Sequence, residues 1–154
     1  MTATDPAPSA GYPWLPLATR AFAASMRGDD RVAIRLTERI ATEHGPDAVI
    51  GAIIAWLDTL LIEGFGHGNF QTGGVGFYLV NDDGDPETVD GSQPSEAVWA
   101  GRLMAARAAG DQATFDALIA AVTGDGVTPA SWARHVHTVL ECCTLTYQYV
   151  KETT

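Results

Sequence analysis

AASMRGDDRVAIRL (residues 23–36) and AARAAGDQATFDAL (residues 105–118) are the two stretches whose reading decides the fold. Each sets a glycine and an aspartate at the same offset between apolar-periodic flanks. Glycine closes a helix because it enters the left-handed region at no steric cost, and aspartate caps the next helix by accepting a backbone N–H. Gly28-Asp29 and Gly110-Asp111 therefore predict two sharp helix–helix junctions.

Helical periodicity extends outward from both junctions. In the first half, Leu17, Ala21, Phe22 and Ala24 line a helix running to about Arg27. Val32, Ile34, Leu36 and Ile40 carry a second helix that ends near His44-Gly45. Pro46 suits the first turn of a third, whose apolar residues, Val49 to Leu61, cover most of the circumference. That is the pattern of a central, buried helix. The order then returns. Ser95 stands as an N-cap before Trp99, Leu103 and Ala106, and Phe115, Leu118, Ile119 and Val122 follow Asp111. Thr128-Pro129 opens a last long helix through Trp132, Val136, Val139, Leu140, Leu145 and Tyr149.

Shifting the chain by 82 residues pairs Ala18 with Ala100, Arg20 with Arg102, Ala23-Ala24 with Ala105-Ala106 and Leu36 with Leu118, beside the Gly-Asp junctions. One inserted residue later, Pro46 falls on Pro129, Leu57 on Leu140 and Asp58 on Glu141. The expected fold is all-α. About six helices form two pseudo-repeated three-helix halves, 14–63 and 94–152, of a single domain spanning 14–154. Residues 1–13 read as a tail. Each half alone is short of core, and packing their apolar third helices together would supply it.

The segment A-x3-G-D-x3-A from Ala24 to Ala33 resembles the helix–turn–helix of tetratricopeptide-type repeats. The resemblance covers about twenty residues per copy, without that family's period of about 34. It implies an α-hairpin and a protein-binding role.

Residues 64–93 interrupt the pattern. Gly64, Gly66, Gly68, Gly73, Gly74 and Gly76 exclude a regular helix. Val75–Val80 reads as one short strand and Glu87–Val89 as its partner, a hairpin that needs helices to lean on. Phe77 and Leu79 are expected to anchor it. From Asn81 to Glu96 there are six acids and no base.

The 154 residues carry nine basic and nineteen acidic side chains, a net charge of −10. Such a balance argues against nucleic-acid binding, which draws most of its affinity from phosphate contacts, and against anionic membranes. The charge is also segregated. Residues 1–40 hold five arginines against four acids, so the remainder carries the whole deficit. Arginine outnumbers lysine eight to one in an alanine-rich chain, a coding bias associated with high-GC bacterial genomes. No apolar stretch is long enough to span a bilayer. Met1–Leu17 lacks a basic segment followed by an apolar run, so no secretory leader is expected. The adjacent Cys142 and Cys143 form no disulfide framework and fit a reducing cytoplasm.

Candidate chemistry falls in three places. Arg27, Arg31, Arg35 and Arg39 recur every fourth residue and form one ridge, able to grip a carboxylate-rich partner or to pair locally with Glu38 and Glu43. The matching positions of the second half are Ala109, Ala113, Ala117 and Ala121. The glycine-rich stretch Gly64–Gly74 offers His67, Asn69 and Gln71 as an alternative small-ligand or catalytic site between the halves, but matches no phosphate-binding fingerprint. His137 and Glu141 stand i,i+4 and have the spacing to share a metal with Asp58. No Glu-x-x-His motif accompanies them, and neither a metal nor a cofactor is indicated. The leading expectation is a non-catalytic interaction module binding a protein, a second copy of itself included.

Overall fold

The structure, a computed structural model, describes residues 11–66, 78–80, 86–88 and 94–153. Among them are six α-helices: α1 (Leu15–Met26), α2 (Asp30–His44), α3 (Pro46–Thr59), α4 (Ser95–Ala109), α5 (Gln112–Thr123) and α6 (Pro129–Thr153). Two three-residue strands, β1 (Tyr78–Val80) and β2 (Pro86–Thr88), pair antiparallel with Leu79 opposite Glu87. Val75 and Phe77, with the rest of residues 67–77, lie outside the described residues, as do residues 81–85 and 89–93. None of the described helices is long and apolar enough to cross a membrane.

Packing divides the chain into two compact units, Met1–Ala52 and Ile53–Thr154. The division falls inside α3 rather than at the glycine-rich insert. In the first unit α1 packs along α2. The contact is lined with small side chains: Ala18, Ala21, Ala24 and Ala33 are buried, with Leu17, Leu36 and Ile40 around them. Trp14, at the N-cap position of α1, lies across α3: a Cβ on Gly51 would come within 2.5 Å of the indole. A glycine in mid-helix thus accepts a ring against its backbone, which offsets its poor helix propensity.

The second unit is built on α6, which packs against α4, α5 and β1. Val136, Val139, Leu140, Cys142, Cys143, Thr144 and Thr146 are all buried, so the middle of this helix is packed over a broad face. Polar Thr144 is accommodated because its hydroxyl donates to the Leu140 carbonyl at 3.1 Å. Trp56, Leu57 and Leu60 add to the same core from the end of α3. α3 then widens into a π-turn, Leu60–Gly64, in which the Phe65 N–H donates to the Leu60 carbonyl. A Cβ on Gly64 would press on Leu60 at 3.0 Å, so the wide turn suits glycine.

Both Gly-Asp junctions take the form their residues demand. Gly28 and Gly110 have φ of 75° and 70°. The Asp29 N–H donates to the Ala24 carbonyl and the Asp111 N–H to the Ala106 carbonyl, each at 2.9 Å. The side chain of Asp29 then caps α2 at the Val32 N–H (3.4 Å), and that of Asp111 caps α5 at the Thr114 N–H (3.1 Å). Burial follows the same register: Leu17, Ala18, Ala21 and Ala24 match Trp99, Ala100, Leu103 and Ala106, all buried. Ser95 departs from expectation. The N-cap of α4 is Pro94, whose extended backbone already presents its carbonyl to Ala97 and Val98, and Ser95 is the first helical residue.

Candidate functional site

The solvent side of α2 follows from the position of its core residues. Ala33, Leu36 and Ile40 point inward, so the 100° step per residue turns Arg31, Arg35, Glu38 and Thr42 outward. Arg31, Arg35 and Arg39 climb this surface one turn at a time. Arg27 is not on α2; it caps the C-terminus of α1, where a cation meets the negative end of the helix dipole. All four arginines are exposed.

Only Arg39 is paired among the described residues. Its guanidinium donates to Glu43 at 2.7 Å and 3.4 Å, one turn on. That hydrogen bond holds the Glu43 carboxyl below its ordinary range and raises Arg39. Glu38, the other expected local partner, forms no ion pair with a described residue. Arg27, Arg31 and Arg35 form none either. Arg31 and Arg35, and Arg35 and Arg39, are like charges at i,i+4, an arrangement that costs a helix about 0.2–0.5 kcal/mol per pair. Beside them Ile34 is 40% exposed, one of three large apolar residues left uncovered among the described residues. The face combines guanidinium groups that have no carboxylate partner among the described residues with an apolar contact point. It can hold carboxylates by charge-assisted hydrogen bonds.

Other clusters have internal partners. Asp58 does not join His137 and Glu141 in a metal site, because Arg107 takes its carboxylate through both oxygens, at 2.8 and 2.9 Å. This bidentate bond raises Arg107 further. His137 Nε2 stands 3.9 Å from Glu141, and its Nδ1 is buried without a hydrogen-bond partner among the described residues. Among the described residues no three potential ligands converge. His135 points elsewhere, as the two-residue spacing demands: its Nδ1 lies 2.7 Å from the Ser131 carbonyl and its ring meets Trp99 edge-on. The Trp99 indole N–H donates to the Leu118 carbonyl at 2.8 Å, tying α4 to α5. Glu96 is held below its usual range by its own backbone N–H, with His135 and Arg134 adding to the effect.

Cys142 and Cys143 are fully enclosed. Burial pushes the Cys142 thiol up to about 12, and Cys143 is raised well above its ordinary value for the same reason. Since the thiolate is the nucleophile, both behave as small core residues. The alternative ligand-binding residues, His67, Asn69 and Gln71, lie outside the described residues.

The Arg107–Asp58 pair and the exposure of Ile34 were not legible beforehand. Asp58 and Arg107 are 49 positions apart, with no periodic signal to join them. Ile34 counts toward the core by hydropathy and falls outside it only by its angle. No protein-family model matches the chain, and no curated protein or solved structure shows significant similarity to it.

Proposed function

We propose that this chain is a non-catalytic interaction module on a duplicated helical scaffold, binding a carboxylate-rich protein through the outer face of α2. The observation that carries the reading is the exposed arginine ridge. Arg27, Arg31 and Arg35 have no carboxylate partner among the described residues, and Arg31, Arg35 and Arg39 repel one another along the helix. An anionic partner relieves that repulsion, and Ile34 supplies an apolar contact beside it. The shared corner geometry and burial register support the duplicated scaffold, with the ridge present on one copy only. The enclosed, unpaired thiols agree with a reducing compartment, and a cytoplasmic location is part of the proposal.

The test is binding of a labelled polyglutamate peptide, followed by fluorescence anisotropy at low salt. The intact chain should bind it. R31E/R35E should weaken binding by about tenfold, as expected for reversing two exposed charges that face an anionic partner. A113E/A117E, on the matching face of α5, should weaken it far less. Equal loss in the two variants, or no binding at all, overturns the reading.

A further inference from the structure

Resting on that reading of α2 as a contact surface, we propose that a second copy of this chain docks on it. The two α2 helices lie antiparallel, with Ile34 on Ile34 and Arg31 of each copy on Glu38 of the other.

Arg31 and Glu38 carry the inference. Both are exposed, and neither has an ion-pair partner among the described residues. They stand seven residues apart, so the helix turns them to within about 20° of one line while separating them by about 10.5 Å. A two-fold axis crossing α2 midway between them sets each charge opposite its complement on the other copy. That midpoint falls between Ile34 and Arg35. Ile34 is exposed and lies to one side of the Arg31–Glu38 line, so the same axis brings two of these side chains together. Parallel packing would instead set Arg31 on Arg31 and Glu38 on Glu38. The charges therefore select the antiparallel arrangement.

The other charges are compatible with it. Arg39 stays on Glu43. Arg35 falls on the opposite side of the line from Ile34, at a solvated rim, and takes no part. Two chains of charge −10 repel one another, but the unit that bears α2, Met1–Ala52, holds five arginines against six acids. Repulsion is therefore least at this face. One helix against one helix is a small contact, so the dimer is weak and reversible.

Sedimentation velocity of the full chain over a range of protein concentrations tests the inference. The parent chain should form a reversible dimer. R31E and E38R should each weaken it by about tenfold, because either one sets like charges opposite each other twice. Mixing these two variants should restore it, and so should R31E/E38R in one chain. I34S should weaken it without altering a charge, whereas R35A should leave it intact. Circular dichroism checks that each of these surface variants is folded. A parent chain that stays monomeric, self-association unaffected by I34S, or folded charge variants that associate no better mixed than apart overturns the inference. If polyglutamate binds the ridge of a chain that stays monomeric, the interaction reading stands without the second copy; if it does not, both fall.

Discussion

At the α1–α2 corner the Asp29 N–H reaches Ala24, and at the α4–α5 corner Asp111 reaches Ala106 over the same 2.9 Å. The helices leaving these corners nevertheless present different surfaces to solvent. Arg31, Arg35 and Arg39 on α2 stand where α5 has Ala113, Ala117 and Ala121, all exposed. Their buried sides differ in volume too: Ala33 lies where α5 buries Phe115. Backbone path and surface chemistry are therefore separable. A glycine with positive φ and a capping aspartate set the turn, whatever the outward residues are.

The first way to break this equivalence is through the core. Phe115→Ala should destabilise by about 3–5 kcal/mol, because removing a buried ring leaves a cavity in the core. Its mirror, Ala33→Phe, should cost about 1–3 kcal/mol through overpacking against the small residues of α1. Chemical denaturation measures both. Comparable tolerance of the two substitutions would mean that the corners differ in volume only nominally.

A smaller effect tests the turns themselves. Gly28→Ala and Gly110→Ala should each cost about 1–2 kcal/mol from left-handed strain alone, since no atom lies within 4 Å of the added methyl. The two losses should be equal. Unequal losses would show that the corners share a shape but not an energy.

The caps sharpen the comparison further. At Asp111 the Thr114 hydroxyl donates at 2.6 Å, besides the backbone N–H, and holds the carboxyl below its ordinary range. Asp29 has Val32 at the matching place and lacks that second bond. The folded value of Asp111 is depressed, so its stabilisation is fully present above the unfolded value and vanishes as pH falls through the folded one. D111N should therefore lower the thermal midpoint at neutral pH and converge with the parent chain in acid. D29N should show the smaller neutral-pH effect.

The smallest effect falls on the ridge. R31A/R35A should leave stability within about 0.5 kcal/mol, or raise it slightly by removing like-charge repulsion, as measured by thermal midpoint. A loss above that would assign these arginines a structural role.

The legible part of the fold was its local chemistry. Gly28, Gly110, Asp29, Asp111, Pro46 and Pro129 each mark a helix boundary, because capping and φ preference act within a few residues. Serine is a usual cap, but at α4 Pro94 fills that position with backbone alone, and Ser95 falls one residue inside the helix. The arginine ridge was legible from its four-residue spacing, apart from Arg27, which belongs to the end of α1. Asp58 was not. A carboxylate near a helix end has many possible partners, and only packing brings Arg107 to it.

By itself the sequence determined where the helices start and stop, and that arginine would recur along one face of α2. These follow from dihedral preference, side-chain capping and the 3.6-residue turn, all of which are local. Only the tertiary structure decided that Trp14 rests on Gly51, that Asp58 belongs to Arg107, and that Ile34 remains exposed while Cys142 and Cys143 are enclosed. Those outcomes depend on which faces of distant helices meet. Hydropathy ranks residues for burial, but the angle at which a helix packs selects among them.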